Sequence, residues 1–153
     1  MKFIKICIWI IPLLLFSGCE KSEEENKLIP SISTEIKYEY ENVLEYHIEW
    51  KNMLSLDGEY YAYIYSPTCG HCREIKQDII EARLSHGINV YYIKYNKDIN
   101  IVDNGDELID KDSIDDLGIL GTPSMFEINN HKVKGYYAGK TAIIETLTNL
   151  YNV

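Results

Sequence analysis

Two cysteines separated by two residues, Cys69 and Cys72, are the side chains whose type and spacing could do chemistry. At positions i and i+3 of a first helical turn they lie on one face and can reach disulfide geometry. A bridge across only two intervening residues closes a very small loop, so it removes little conformational entropy from the unfolded chain. Because such a bridge adds little stability, redox chemistry is the better explanation for the pair.

The residues around the pair predict where its thiols lie. Residues 59–65 form an aromatic and aliphatic run typical of a buried strand, Ser66-Pro67-Thr68 ends it, and residues 70–85 have helical apolar spacing. Cys69 is therefore expected at a helix N-terminus, whose N–H groups and partial positive charge stabilise a thiolate and lower its pKa. His71, between the cysteines, can add positive charge or a hydrogen bond to that thiolate.

The rest of the chain has patterns for four further elements. We expect an amphipathic helix at residues 35–50, a second strand at 89–95, a hairpin at 124–137 and a closing helix at 141–150. The hairpin turn is predicted at Asn129-Asn130. The acidic stretch 98–116 lacks oxygen ligands at alternate positions, so a solvated loop with a short helix is expected there rather than a calcium site. Strand–helix–strand order implies a parallel pair, to which the hairpin adds antiparallel strands.

The first 19 residues are expected to lie outside the folded domain. Two lysines precede an apolar run at residues 6–16, which is too short to span a bilayer and has the form of a secretory signal. Ser17-Gly18 directly before Cys19 resembles the end of a bacterial lipoprotein signal. That resemblance implies cleavage after residue 18 and lipid attachment to Cys19. A plain secretory signal or an uncleaved anchor, with Cys19 incidental, is the alternative.

The predicted organisation has three segments: a lipoprotein signal at 1–18, an acylated cysteine with a flexible tether at 19–34, and one folded domain at 35–153. With Cys7 in the signal and Cys19 acylated, the pair provides the free thiols of the mature chain. The net charge of −9 argues against a nucleic-acid partner, because binding requires Lys and Arg to neutralise phosphates. We expect an extracytoplasmic monomer that its lipid holds at the bacterial cell membrane.

A strand, then Cys69-Gly70-His71-Cys72 opening a helix, then Thr122-Pro123 before a hairpin, together resemble the thioredoxin superfamily. The resemblance covers residues 35–151 and implies an α/β fold, a three-layer α/β/α sandwich with a central mixed sheet. In that family the proline that matches Pro123 is cis, faces the cysteines and helps to hold an extended substrate chain. The resemblance therefore implies substrate contacts from Pro123 and from the backbone of Thr122.

The dipeptide Gly70-His71 is the one found in protein disulfide isomerases, whereas reductive thioredoxins usually have Gly-Pro. The resemblance implies a thiol–disulfide oxidoreductase that acts on exported proteins, needs no dissociable cofactor and is recharged by a membrane redox partner. Gly70 and His71 would tune Cys69 and Cys72 towards oxidation or isomerisation. Reduction of exported disulfides, as in apocytochrome maturation, is the alternative, because direction also depends on the partner.

One position departs from the family pattern. Thioredoxins and disulfide isomerases bury an acidic residue six positions before the first cysteine, as a proton acceptor for the resolving thiol, and this sequence has Tyr63 there. Another group such as Glu59 or water takes that role, or resolution is slow and mixed disulfides live longer.

A binding module is the alternative of a different class. Soft thiolates suit copper(I), so Cys69, His71 and Cys72 could serve a copper chaperone, or the chain could be an accessory protein for secretion. No methionine or further histidine stands beside the motif as another ligand. No second CxxC or spaced histidine pair completes a zinc site, so no metal site is expected.

Overall fold

A computed structural model describes residues 37–152 of the chain. The predicted signal at 1–18, the predicted lipid attachment at Cys19 and the predicted tether at 19–34 lie outside these residues. Within them the chain forms strands, α-helices and short 3₁₀ helices around one central sheet.

The central sheet is mixed and has the strand order β2-β1-β3-β4. Its strands are β1 (Glu59–Tyr65), β2 (Val90–Lys94), β3 (Ser124–Asn129) and β4 (Lys132–Ala138). β1 and β2 are parallel, and β3 is antiparallel to both β1 and β4. The predicted strands and hairpin are confirmed, although the turn lies one residue later than expected, at Asn130 and His131. Both turn residues have positive φ, as tight hairpin turns require.

β1 is buried on both faces, and this double burial divides the core into two clusters. Residues 60–65 are each at most 8% exposed. Because side chains alternate along a strand, Tyr61, Tyr63 and Tyr65 face the α-helices, whereas the residues between them face the opposite cluster. Burial on both sides explains why this segment is an uninterrupted run of apolar and aromatic residues.

The α-helices α1 (Gly70–Glu74), α2 (Lys76–Leu84) and α3 (Gly139–Tyr151) cover the face of β1 that carries Tyr63. α1 and α2 are continuous except at Ile75, whose φ of −99° and ψ of 8° bend the single helix predicted there. The opposite face is covered mainly by loops and 3₁₀ helices from residues 53–56 and 99–119. Within residues 37–152, the layer on that side contains no α-helix.

The prediction of an amphipathic helix over residues 35–50 is wrong for the described part of that segment. Tyr40–Tyr46 form a 3₁₀ helix that is interrupted in its middle by a non-helical residue. His47 then makes a parallel bridge to Tyr92 of β2, and the Ile48 N–H donates to the Tyr92 carbonyl at 3.0 Å. The backbone of residues 47–48 therefore hydrogen-bonds to the open edge of β2 instead of forming helical hydrogen bonds. Sheet pairing overrides the local apolar spacing.

Candidate active site

The loop after β1 places Cys69 at the start of α1. In the turn at Ser66-Pro67-Thr68 the Cys69 N–H donates to the Ser66 carbonyl at 3.1 Å, and the Ser66 and Thr68 hydroxyls lie 3.0 Å apart. Cys69 has extended backbone angles and is the N-cap of α1. Its sulfur accepts a hydrogen bond from the Cys72 N–H at 3.3 Å, the contact that a serine or aspartate oxygen makes at other helix N-termini.

The two thiols differ in their access to solvent. Cys69 is partly exposed, whereas Cys72 is 1% exposed and belongs to the core cluster beneath the α-helices. Both cysteines are free thiols in this structure. A substrate sulfur can therefore reach Cys69, while the protein interior shields Cys72 from it.

Hydrogen bonds hold the pKa of Cys69 below its ordinary value. Partial burial of the sulfur raises this pKa, but hydrogen bonds with the thiol and N–H of Cys72, the Thr122 side chain and the His71 N–H together lower it by more. Donors to a sulfur favour its charged form, and the thiolate is the nucleophile in disulfide exchange. Cys69 is therefore the more nucleophilic cysteine near neutral pH.

Burial raises the pKa of Cys72 to about 11. The hydrogen bond with Cys69 and the charge of that neighbour also raise it, whereas the Ser66 backbone and the Thr122 side chain lower it. Ionisation of Cys69 thus makes ionisation of Cys72 less favourable, as expected for two thiols that share one site. The arrangement therefore favours a thiolate on Cys69 over a thiolate on Cys72.

Thr122 and Pro123 lie against the first cysteine. The peptide bond between them is cis, as the resemblance implies, and the Cys69 thiol donates to the Thr122 carbonyl at 3.2 Å. Pro123 is buried, and its carbonyl accepts a hydrogen bond from the Gly139 N–H at 2.8 Å. A shallow cleft of about 270 Å³ follows this segment and is lined by Leu120, Gly121, Thr122, Pro123, Ala138 and Gly139. Thr122, whose carbonyl the Cys69 thiol contacts, is thus part of the cleft wall.

Gly70 and His71 are exposed at the start of α1. The His71 Nδ1 lies 3.5 Å from the Glu74 carboxylate, which also pairs with Lys140 of α3. The hydrogen bond with Lys140 and then that with His71 hold the pKa of Glu74 below its usual value. The imidazole thus faces Glu74, and it is the His71 backbone that donates to the Cys69 sulfur.

Tyr63 is fully buried beneath Cys72, at the position where the family pattern has an acid. Its hydroxyl neighbours the Tyr40 hydroxyl and the Cys72 thiol, and burial, followed by these neighbours, raises the pKa of Tyr63. Glu59, which the sequence offered as a substitute, lies at the exposed start of β1, about 13 Å along the strand from Tyr63. Glu59 is therefore too far away to accept a proton from Cys72.

Sequence reasoning missed three aromatic residues beside this buried position. Tyr40 stacks on Tyr65 with ring centroids 3.8 Å apart, and the Tyr65 hydroxyl shares a hydrogen bond with His47 Nε2 at 2.9 Å. Tyr40 and His47 precede β1 and approach it through the pairing of their segment with β2. Local spacing has no signal for that long-range contact. The alternation of Tyr63 and Tyr65 along β1 was the available indication that their rings share a face.

Within residues 37–152, no cluster of three or more His, Cys, Asp or Glu side chains is arranged to hold a metal ion. None of the helices in the same range has the length and apolarity needed to cross a membrane. Cys19, the predicted lipid attachment site, lies outside it.

Solved structures of thioredoxins are similar to this chain. Thioredoxin f2 of Chlamydomonas reinhardtii is 12% identical with a TM-score of 0.45, over 69% of this chain and 92% of the thioredoxin. Mitochondrial thioredoxin 3 of Saccharomyces cerevisiae is 13% identical with a TM-score of 0.43, over 67% and 92%. Fasciola hepatica thioredoxin is 19% identical with a TM-score of 0.41, over 61% and 82%. No protein-family model and no curated protein matches the sequence.

The topology itself identifies the fold. A mixed sheet in the order β2-β1-β3-β4, helices that pack on it and a cis-proline before β3 form a thioredoxin-like α/β domain. The expected thioredoxin-like α/β class with a central mixed sheet is therefore confirmed, with α-helices on one face of the sheet and loops and 3₁₀ helices on the other. Cys69 and Cys72 are adjacent at the start of α1, an arrangement suited to thiol–disulfide chemistry.

We expect iodoacetamide to modify Cys69 at a pH at which Cys72 is inert. The pKa of Cys69 lies below its ordinary value and that of Cys72 is about 11, so the reactive thiolate forms first on Cys69. Peptide mass mapping of the reduced full chain should place half-maximal Cys69 alkylation below about pH 8.5, the value for an ordinary thiol.

A Cys72→Ala variant tests the cause of this shift. It removes the thiol that hydrogen-bonds to Cys69 but keeps the backbone N–H, so the Cys69 alkylation midpoint should move to higher pH. Equal alkylation rates of Cys69 and Cys72 in the unsubstituted chain near neutral pH would contradict the asymmetry of the site.

Proposed function

We propose that this chain is a thiol–disulfide oxidoreductase that exchanges disulfides with exported proteins through Cys69 and Cys72. The asymmetry of the pair carries the proposal: Cys69 is accessible and has a lowered pKa, whereas Cys72 is buried and has a pKa of about 11. Exchange needs one thiolate that a substrate disulfide can reach and a second thiol held back until a mixed disulfide has formed. A structural disulfide would need neither difference.

In the reducing direction, the Cys69 thiolate attacks one sulfur of a substrate disulfide. The substrate S–S bond breaks, a mixed disulfide forms on Cys69, and the other substrate sulfur leaves with the electron pair and takes up a proton. Cys72 then loses its proton and attacks the Cys69 sulfur, which releases the second substrate thiol and leaves the pair oxidised. In oxidation the same steps run backwards, and the Cys69–Cys72 disulfide passes to a substrate dithiol.

Oxidation or isomerisation is the direction that we propose. Donors to the Cys69 sulfur, such as the Cys72 N–H at 3.3 Å, stabilise a thiolate more than the uncharged sulfur of a disulfide. Stabilisation of the reduced form makes the disulfide a stronger oxidant. The Gly70-His71 dipeptide supports the same direction through its resemblance to disulfide isomerases. A membrane redox partner would then reoxidise the pair, with no dissociable cofactor.

The substrates that we propose are exported proteins in an extended conformation. The cleft beside Thr122 and Pro123 is open to solvent next to Cys69, and exposed Leu120 gives it an apolar border. By resemblance, the Thr122 backbone and Pro123 would align the substrate chain there. Such a site would recognise the backbone and an accessible cysteine of the substrate rather than one particular side chain. This property suits an enzyme with several substrates.

A Cys72→Ala variant should accumulate mixed disulfides with exported proteins. Without Cys72 the Cys69–substrate bond is not resolved, so captured proteins should appear in non-reducing gels, disappear on reduction and be identifiable by mass spectrometry. Cys69→Ala is the matched control and should capture none, because Cys72 is buried. No capture by Cys72→Ala, together with tight copper(I) binding by the unsubstituted chain, would contradict exchange and favour the copper module.

The reduction potential of the pair decides between the two directions of exchange. Equilibration of the full chain with glutathione or dithiothreitol buffers, read by thiol alkylation, should give a potential near or above roughly −200 mV if it oxidises or isomerises. A potential near about −270 mV, the thioredoxin range, would instead support reduction of exported disulfides.

The location that we propose is extracytoplasmic, at the bacterial cell membrane, with a lipid on Cys19. The support is the apolar signal at residues 6–16 followed by Ser17-Gly18. A clickable fatty-acid analogue should label the unsubstituted chain and a Cys7→Ser control but should not label Cys19→Ser. Equal labelling of Cys19→Ser would contradict acylation at that residue and leave the exchange chemistry untouched.

A further inference from the structure

The buried hydroxyls of Tyr40 and Tyr63 have no part in the exchange steps described above. Tyr63 is 0% exposed, and within residues 37–152 neither hydroxyl makes a hydrogen bond of full geometry. A buried polar group without a partner destabilises a protein, so such groups are rare and need an explanation. Here two of them are neighbours, and the third group beside them is a thiol.

Both hydroxyls neighbour Cys72 within the core. Tyr63 lies on the face of β1 that carries the helices, in the same core cluster as Cys72. Tyr40 is held there by its stack on Tyr65, whose ring is also parallel to that of Tyr63 within 6°. The Tyr63 hydroxyl neighbours both the Tyr40 hydroxyl and the Cys72 thiol. The rings therefore fix the two hydroxyls beneath the resolving cysteine.

The number of available protons determines which way these groups can point. Each phenol has one proton to donate. When the Tyr40 O–H donates to the Tyr63 oxygen, the Tyr63 O–H is left with the Cys72 sulfur as its acceptor. A thiol sulfur accepts weakly, whereas a thiolate accepts a charge-assisted hydrogen bond. The partner that the hydroxyls lack in the dithiol therefore appears when Cys72 ionises.

We propose that Tyr63, oriented by Tyr40, donates a hydrogen bond to the Cys72 thiolate while Cys72 resolves the mixed disulfide. This inference rests on the proposed disulfide exchange and deepens its second step. Burial, followed by the neighbouring Tyr40 and Cys72, raises the pKa of Tyr63, so its hydroxyl stays protonated throughout. Tyr63 is thus a donor to the attacking sulfur, in contrast to a carboxylate, which would accept its proton.

The resolving step balances without an added oxidant or reductant. The Cys72 thiol and the mixed disulfide between Cys69 and a substrate become the Cys69–Cys72 disulfide and a substrate thiol. The Cys72 S–H bond and the Cys69–substrate S–S bond break, and the bond between the two cysteine sulfurs forms. The electron pair leaves on the substrate sulfur, which ends with the proton that Cys72 lost. Tyr63 stabilises the charge while it is on Cys72.

A two-phase reaction separates this step from the attack by Cys69. All variants are the full chain with Cys7→Ser and Cys19→Ser, so that Cys69 and Cys72 are its thiols. The reduced chain is mixed with dithiobis(nitrobenzoate) in a stopped-flow instrument. Attack by Cys69 releases a first equivalent of thionitrobenzoate, and resolution by Cys72 releases a second.

Tyr63→Phe keeps the ring and removes the hydroxyl. We expect it to slow the second phase roughly 10- to 100-fold, the effect of losing a hydrogen bond to a charged group, with the first phase nearly unchanged. Tyr40→Phe should slow the second phase by a smaller factor, because it only orients Tyr63. Tyr60→Phe is the matched control and should change neither phase, since its hydroxyl donates to the Met53 carbonyl at 2.5 Å on the opposite face of the sheet.

The pH dependence of the second phase adds a readout that a structural role would not change. Loss of a donor to the thiolate raises the Cys72 pKa, so the rise of the second-phase rate with pH should move to higher pH in Tyr63→Phe. An unchanged second phase, or equal slowing of both phases, would overturn the role of Tyr63. Release of only one equivalent by the chain that retains Tyr63 would instead overturn the exchange function itself.

Discussion

The hydrogen bond from the Cys72 N–H to the Cys69 sulfur ties the chemistry of this protein to its secondary structure. It forms because Cys69 is extended and α1 begins at the next residue, so the sulfur takes the place of an N-cap oxygen. The same helical turn carries Cys72 into the core, where it is 1% exposed. A helix that began one residue later would turn Cys72 by about 100° around the helix axis and remove it from this position. One turn of helix thus sets the exposure and the pKa of both thiols together.

The start of that helix is fixed in turn by the double burial of β1. Because its alternate side chains belong to two different core clusters, a slip of one residue would exchange the two sets and place Tyr60 and Ala62 beneath the cysteines. The hydroxyl of Tyr60 reaches the Met53 carbonyl only on its own side of the sheet. The register of β1 is therefore strongly specified, and with it the distance from Tyr65 to the turn that ends at Cys69. The rigid part of the site lies on the strand and helix, while the partly exposed sulfur lies at their junction.

The parts of this fold that were predictable are those in which local pattern and tertiary burial agree. β1 has the predicted bounds, since a strand buried on both faces is an uninterrupted apolar run in the sequence. The position of Pro123 and its cis bond followed from the family resemblance rather than from spacing. The segment before His47 has helical spacing but pairs with the edge of β2, a contact between residues far apart in sequence. The sequence therefore indicated that the usual acid is replaced by Tyr63. It could not indicate that Tyr40, from the segment before His47, would lie beside the Tyr63 hydroxyl.

Donors to the two cysteines have different consequences for redox behaviour. In the dithiol, the pKa of Cys69 lies below its ordinary value, so ionisation occurs first at Cys69, and every donor to that sulfur stabilises the reduced form and makes the disulfide more oxidising. The pKa of Cys72 is about 11, so its thiolate is scarce in the same state, and a donor to it changes the stability of the reduced form little. Such a donor would act instead on the proposed resolving step, in which Cys72 must ionise. In the proposed exchange, the groups around Cys69 would thus govern direction, while the buried hydroxyls beside Cys72 would govern the lifetime of a mixed disulfide. A phenol at Tyr63, where the family pattern has a carboxylate, would then alter the second property without reversing the first.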